Sequence, residues 1–251
     1  MIVLRTAKEI EKMRKACIIS AEALQVAGEA VKPGVTTYEI DQIAYRYIKK
    51  QGAEPNFLHL YGFPATACIS INDEVIHGIP SKDRVLMEGD IVSIDLGAKA
   101  DGYNGDNAAT FAVGKISDEA KRLCDTTRES LYKGIEQAVA GNRIGDIAYA
   151  VQSYCEERGF SVVREYTGHG VGTSLHEDPS VPNYGTPGRG QRLLPGMTIA
   201  IEPMINMGKK EIKQLPDGWT VKTLDGKLSA HFEHTIAITS NGPLILTDIT
   251  R

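Results

Sequence analysis

An α+β fold of two related halves, with helices covering one face of a curved sheet, is what the patterning of this chain predicts. The prediction rests on an internal repeat, on two helix pairs that open with capping signals, and on antiparallel strand patterns after each pair. Offset by 107 positions, 7–54 aligns with 114–161, and nine positions are identical: Lys8/Lys115, Cys17/Cys124, Glu22/Glu129, Leu24/Leu131, Glu29/Glu136, Gly34/Gly141, Ile40/Ile147, Tyr47/Tyr154 and Gly52/Gly159. Ordinary composition would give roughly three. The same offset lays GDIVSID (89–95) on GMTIAIE (196–202), so that Asp95 meets Glu202. Two such halves share a core, and the chain reads as one domain over 1–251, with halves of about 1–113 and 114–251.

Thr6 and Glu9 have capping-box spacing, and Ile10, Met13, Cys17, Ala21 and Leu24 follow at helical intervals. Thr36 and Glu39 open a second helix carrying Ile40, Ile43 and Tyr47, which Gly52 is placed to end. Segment 91–99 alternates, Asp101-Gly102 supplies a two-residue hairpin turn, and 103–113 returns. The second half repeats the helix pair near 117–140 and 143–158, closed by Gly159. Strand patterns follow at 198–202, 220–224, 228–239 and 244–247. Helices grouped ahead of antiparallel strands, twice over, give the α+β assignment.

Of 251 residues, 42% are hydrophobic and 24% charged, which suits a globular fold with a sizeable core. The balance of 28 Lys+Arg against 32 Asp+Glu, net −4, argues against a dedicated nucleic-acid binder and against specific DNA recognition. Four cysteines (Cys17, Cys68, Cys124, Cys155) form no CxxC pair, which disfavours zinc ribbons, thioredoxin-like motifs and disulfide frameworks. Charges from Arg5 to Lys15 interrupt any signal-peptide core, and no apolar run approaches the roughly 20 residues that span a bilayer. A cytoplasmic protein without membrane contact is expected.

A two-residue turn at Asp101-Gly102 pairs residues whose numbers sum to 203, so Asp95 faces Ala108 and Asp106 stands two positions away on the same face. Diagonal neighbours of this kind lie about 7–8 Å apart, close enough for two carboxylates to share an ion. The second half adds Glu202 at the end of TIAIE, Glu233 in LSAHFEHTIAI and His169 in TGHGVG. Four carboxylates with one imidazole suit divalent Mn, Fe, Co or Zn rather than a thiolate site. Two dications balance the four acids and leave a bridging hydroxide as the extra charge, the composition of a dinuclear hydrolase. Taken singly, an Asp in a strand is more often on a solvated face; the repeat is what turns these acids into a set.

At these residues the chain resembles the type I methionine aminopeptidases, in their minimal bacterial form. Their duplicated pita-bread (creatinase/aminopeptidase) fold is shared with prolidases, aminopeptidase P and creatinase. The resemblance is carried by NDEVIHGIP (72–80), DLGAKADGYNGDNAATF (95–111), TGHGVGTSLHEDP (167–179), IAIEPM (199–204) and HFEHTIAI (231–238), in the family's order and over almost the whole chain. It implies a curved antiparallel sheet covered by two helix pairs in pseudo-two-fold symmetry. It also implies two divalent metal ions (Co, Mn, Fe or Zn) held by Asp95, Asp106, His169, Glu202 and Glu233. Asp106 and Glu233 would bridge the ions, Asp95 would complete one, and His169 with Glu202 the other.

By the same resemblance the N-terminal methionine of peptides and nascent proteins is removed when a metal-bridging hydroxide attacks the first peptide bond. Glu202 handles the proton of the attacking water, His176 helps to stabilise the oxyanion, and His77 contacts the nitrogen of the scissile bond. Phe63, Cys68 and Trp219 resemble the lining of a methionine pocket, where a thioether packs well on aromatic rings. The plain alternative for His77 and His176 is a hydrogen-bonded loop histidine, and for the pocket residues ordinary core packing. His59, His231 and His234 match no catalytic position and are read as structural. Leu175, Ile76 and the segment Phe57, Leu58, His59 and Leu60 depart from the residues frequent at those places in the family, which leaves side-chain preference open.

Two other functions compete. Prolidases and aminopeptidase P share the ligand set but carry a further N-terminal domain, for which a first helix beginning within ten residues of Met1 leaves no room. A non-enzymatic pita-bread module would show substituted ligands, whereas all five positions hold competent ones. Nascent chains at the ribosomal exit tunnel are the expected substrates. Lys209, Lys210 and Lys213 offer a weakly basic surface towards ribosomal RNA, though a solvated charge run is the commoner role. A monomer is the default expectation.

Overall fold

Both predicted capping boxes form. The Thr6 hydroxyl accepts the Glu9 amide at 3.4 Å, while the Glu9 carboxylate accepts the Thr6 amide at 2.8 Å. These reciprocal bonds satisfy amides that a helix start leaves without partners. They open α1 (Ala7–Glu29), and Thr36 with Glu39 opens α2 (Thr37–Lys50) in the same way. The structure, a computed structural model, describes residues 1–249. After the two helices the chain continues through β1 (Glu54–Pro55), β2 (Ala67–Ile71) and β3 (Glu74–Ile76) into the long hairpin of β4 (Ile91–Ala100) and β5 (Tyr103–Ala112).

The second half begins with α3 (Asp118–Glu136), whose Ala120 amide donates to the Ser117 hydroxyl, and α4 (Ile144–Glu156). Five strands follow: β6 (Ser161–Val162), β7 (Gly168–Gly170), β8 (Glu177–Val181), β9 (Thr198–Ile201) and β10 (Met204–Asn206). The last five are β11 (Ile212–Gln214), β12 (Val221–Thr223), β13 (Ser229–His231), β14 (Glu233–Thr239) and β15 (Gly242–Ile245). The main sheet runs β1-β4-β5-β14-β9-β7-β8, with β2 added on β4 and β15 on β14. Ala16, Ile19 and Ala23 of α1 and Ile40 and Ala44 of α2 bury against Ile69, Val92, Ile94 and Leu96. Leu131 and Ile135 of α3 and Ile147 of α4 bury against Ile199, Ile201, Ile236 and Ile238.

Local features recur at the 107-residue offset. A lone bridge joins Thr36 to Val85, and another joins Arg143 to Arg192. The Gly34 amide donates to the Leu86 carbonyl at 2.8 Å, and the Gly141 amide to the Leu193 carbonyl at 3.0 Å. Gly34 and Gly141 share left-handed φ values of 90° and 100°, a region closed to most side chains. The Tyr47 hydroxyl bonds Glu22, as that of Tyr154 bonds Glu129.

The structure departs from the predicted elements in three places. The single strand expected over 228–239 is divided at Phe232: β13 joins a small sheet with β10 and β6, while β14 enters the main sheet. The strand expected over 198–202 stops at Ile201, because Pro203 has no amide to donate to a ladder. The strand expected at 244–247 sits earlier, at Gly242–Ile245. The short strands β2, β3, β7 and β8 have no counterpart among the sequence-based expectations.

One close contact fixes the sheet beneath α1. A Cβ on Gly105 would lie 2.5 Å from the backbone nitrogen and Cα of Cys17, so the helix rests directly on β5 beside Asp106. Gly105→Ala is expected to destabilise the protein by about 1–3 kcal/mol through overpacking. Urea unfolding should show this as a lower midpoint at an unchanged slope.

Candidate metal centre

The hairpin forms in the register read from its turn. Ala100 pairs with Tyr103, and Asp101 and Gly102 both take left-handed φ, 51° and 83°, as a type I′ turn requires. Asp95 therefore pairs with Ala108, and Asp106 follows two positions along on the same face. Across the other edge of β5, Glu233 pairs with the same Ala108, so three neighbouring strands bring Asp95, Asp106 and Glu233 together. His234 pairs with Ile201, and that register brings Glu202, just past the end of β9, beside Glu233. β7 lies on the far side of β9 and carries His169 at its centre.

His169 is oriented by its neighbour. Its Nδ1 lies 2.9 Å from the Gly170 carbonyl, which only accepts, so Nδ1 carries the proton and Nε2 keeps its lone pair. Nε2 faces Asp106 Oδ2 at 3.7 Å and Glu202 Oε1 at 3.5 Å. Asp106, His169 and Glu233 each present one donor atom, all within 4.8 Å of one another. Asp95 and Glu202 stand outside that tightest group but line the same cavity.

Charge makes the set unstable without a cation. Burial pushes Asp106 up to about 7, against a small opposing effect of the Asn107 amide. Asp95, Glu202 and Glu233 are raised well above the usual carboxylate range, by burial first and then by neighbouring carboxylates, Asp106 among them in each case. Asp95 Oδ1, Asp106 Oδ1 and Glu233 Oε1 are buried without hydrogen-bond partners, a costly state for acceptors. His169 is driven down to about 4 by burial and then by His176, so its imidazole is neutral. Unpaired carboxylate oxygens converging with a neutral imidazole fit a divalent first-row ion.

Above this floor opens a cavity of about 360 Å³, lined by all ten site residues that the sequence singles out: Asp95, Asp106, His169, Glu202, Glu233, His77, His176, Phe63, Cys68 and Trp219. Phe63 meets Trp219 edge-on at 5.1 Å, and His77 meets Tyr166 at 5.5 Å and Trp219 at 6.3 Å. His176 packs edge-on against His169 with centroids 4.5 Å apart, and Tyr61 stacks on it at 6.0 Å. Burial lowers His77 to about 4 and depresses His176. It also raises the Cys68 thiol, with Asp95 second, so Cys68 serves as a small apolar wall.

Sequence reasoning missed three wall residues, Tyr61, Tyr166 and Thr167. Tyr166 and Thr167 adjoin the Gly-rich His169 motif, a signal that was available. Tyr61 sits in a loop where it and His59 both take left-handed φ, 50° and 68°, and their residue types do not announce that. His234 is structural as expected, bonded to Thr247 and Tyr132. His231, also read as structural, lies beside the centre: it is buried, with Nε2 3.8 Å from Glu202 Oε2 and neither ring nitrogen hydrogen-bonded.

The model of metallopeptidase family M24 matches residues 11–240. A methionine aminopeptidase of Clostridium perfringens is 56% identical over 247 residues, 98% of this chain and 99% of that one. The crystal structure of methionine aminopeptidase from Thermotoga maritima superposes with a TM-score of 0.97 at 46% identity, covering 99% of this chain and 100% of that one. A prolidase from Pyrococcus horikoshii superposes with a TM-score of 0.80 at 28% identity, but this chain covers only 65% of it. The chain belongs to metallopeptidase family M24, and its architecture is the pita-bread fold.

Binding of Mn²⁺ to chelator-stripped protein is expected to raise its stability by about 2.7 kcal/mol at a hundredfold excess over Kd. Asp106→Asn, which keeps the shape and removes the charge, should abolish both the calorimetric binding heat and the shift in melting temperature.

Proposed function

We propose that this member of family M24 removes the N-terminal methionine from peptides and nascent proteins. One observation carries the proposal: four carboxylates and a neutral imidazole form the floor of a small cavity whose walls are apolar and aromatic. The floor suits a hydrolytic centre, and the walls suit a single unbranched apolar side chain. Asp95, Asp106, His169, Glu202 and Glu233 would hold two divalent ions of the Mn, Fe, Co or Zn class. Bound there, such ions polarise the scissile carbonyl and lower the pKa of water.

The remaining roles belong to the side chains. Glu202 stands at the floor with one oxygen towards His169 and the other towards His231. It takes the proton of the attacking water and returns it to the leaving amine. Neutral His176 donates to the oxygen on which negative charge develops, and His77 contacts the nitrogen of the bond that breaks. Phe63, Cys68 and Trp219 hold the methionine side chain, while the free α-amino group of the substrate would bind as a neutral amine to an ion held by the cluster of acids. Exopeptidase action follows, because an internal residue has no such group to offer.

The same reading treats 1–251 as a single catalytic domain of two related halves, about 1–113 and 114–251, acting as a cytoplasmic monomer. Among the described residues no helix is long and apolar enough to cross a membrane. The exposed Lys209, Lys210 and Lys213 lie at and before β11 and support a weak contact with ribosomal RNA during nascent-chain processing.

Metal-stripped protein reloaded separately with Mn, Fe, Co and Zn should release free methionine from Met-Ala-Ser. Glu202→Gln should lower kcat by at least about a hundredfold, and Trp219→Ala should raise KM for the same peptide roughly tenfold or more. Cleavage confined to bonds before proline would transfer the protein to the prolidase branch. A folded, metal-loaded protein without turnover would return it to the non-enzymatic reading.

A further inference from the structure

His176 owes its place to a loop that the far end of the chain secures. Arg5, 172 residues before Glu177, is buried, with its side chain only 3% exposed. Its Nη2 donates to Glu177 Oε2 at 2.5 Å, its Nη1 to Thr198 Oγ1 at 2.9 Å, and its backbone amide to the Gly196 carbonyl at 2.8 Å. Glu177 directly follows His176. Its other oxygen accepts the Ser174 amide at 3.0 Å and the Thr173 hydroxyl at 3.4 Å. One carboxylate thus gathers the loop on one side and meets the guanidinium on the other.

The far end of the same loop is also held. The Gly172 carbonyl accepts the Asn104 backbone and side-chain amides at 2.8 and 2.9 Å, two residues from Asp106. The guanidinium fills the space beside Gly172, where a Cβ would lie 1.5 Å from Nη2. Thr198, which Arg5 also contacts, donates to the Val171 carbonyl at 2.6 Å. The loop over 171–177 is therefore pinned between the hairpin that carries Asp106 and the segment before α1.

We propose that Arg5 is a positioning residue for His176, acting through Glu177 to hold the imidazole over the reacting bond. The inference rests on the reading of His176 as a catalytic group. A guanidinium fits the task because its planar fork reaches Glu177 and Thr198 at once, which an ammonium on a flexible stem does not reproduce. Without it, Glu177 is left as a poorly compensated carboxylate, and the loop loses its anchor next to His176. An imidazole displaced by about 1 Å costs on the order of a hundredfold in rate.

Arg5→Ala and Arg5→Lys would be compared with the parent in kcat and KM for Met-Ala-Ser. Mn²⁺ affinity of the stripped proteins would be measured by calorimetry, and the His176 imidazole resonances assigned with His176→Asn. Arg5→Ala is expected to lower kcat about tenfold to a hundredfold with KM changed by less than about threefold. Mn²⁺ affinity should hold, the His176 resonances should move, and added guanidinium ion should restore part of kcat. A folded Arg5→Ala protein with parental kcat and unmoved resonances overturns the proposal, as does a loss of metal affinity in step with kcat. Should Arg5→Ala fail to fold, Arg5→Lys and Glu177→Gln are read by the same criteria. A parent that releases no methionine defeats the functional reading, while the resonances still test Arg5 independently.

Discussion

Asp95, Asp106, Glu202 and Glu233 share a buried volume in which their charges repel, and among the described residues no lysine or arginine lines the cavity they enter. Burial pushes all four towards the protonated form, and the charge of neighbouring carboxylates adds to it at Asp95, Glu202 and Glu233. Such a cluster persists only where the backbone leaves it no way to spread. Here Asp95, Asp106 and Glu233 project from paired strands whose ladder spacing is fixed. Their separation is set by the sheet and not by side-chain choice, which is the rigidity a metal site needs. The hairpin turn, the glycine that lets α1 rest on β5 and the break before β14 all serve that spacing.

The walls answer a different requirement. Phe63, Trp219, Tyr166 and His77 meet edge-on, and His176 contacts both Tyr61 and His169. Edge-on packing orients rings without filling the space between them, so the cavity stays open above a floor that stays fixed. Low imidazole pKa values, caused by burial, keep His77 and His169 neutral near pH 7. A neutral ring both donates and accepts, which suits the roles proposed for His77 and His169.

Much of this was legible in the chain because the decisive features are local. A two-residue turn at Asp101-Gly102 dictates the Asp95–Ala108 pairing, and Thr6 and Thr36 mark helix starts three residues ahead of their glutamates. The offset of 107 carries Asp95 onto Glu202 without any structure. What escaped is non-local. His231 looks like one more residue of a long strand, and its approach to Glu202 comes from the pairing of β13 with β10, where it lies opposite Met204. Tyr61 reaches His176 because its loop takes left-handed φ values that its side chains disfavour. The Arg5–Glu177 pair joins opposite parts of the sequence, and no periodicity links them.

The two helix pairs each bury their own apolar cluster, one gathering Ile40 and Val92, the other Leu131 and Ile199. Yet the acids and the imidazole are divided between them: Asp95 and Asp106 come from one side, His169, Glu202 and Glu233 from the other. Neither side alone carries the five side chains of the proposed centre. The proposed ligand set is therefore complete only where both helix pairs and the shared sheet have come together.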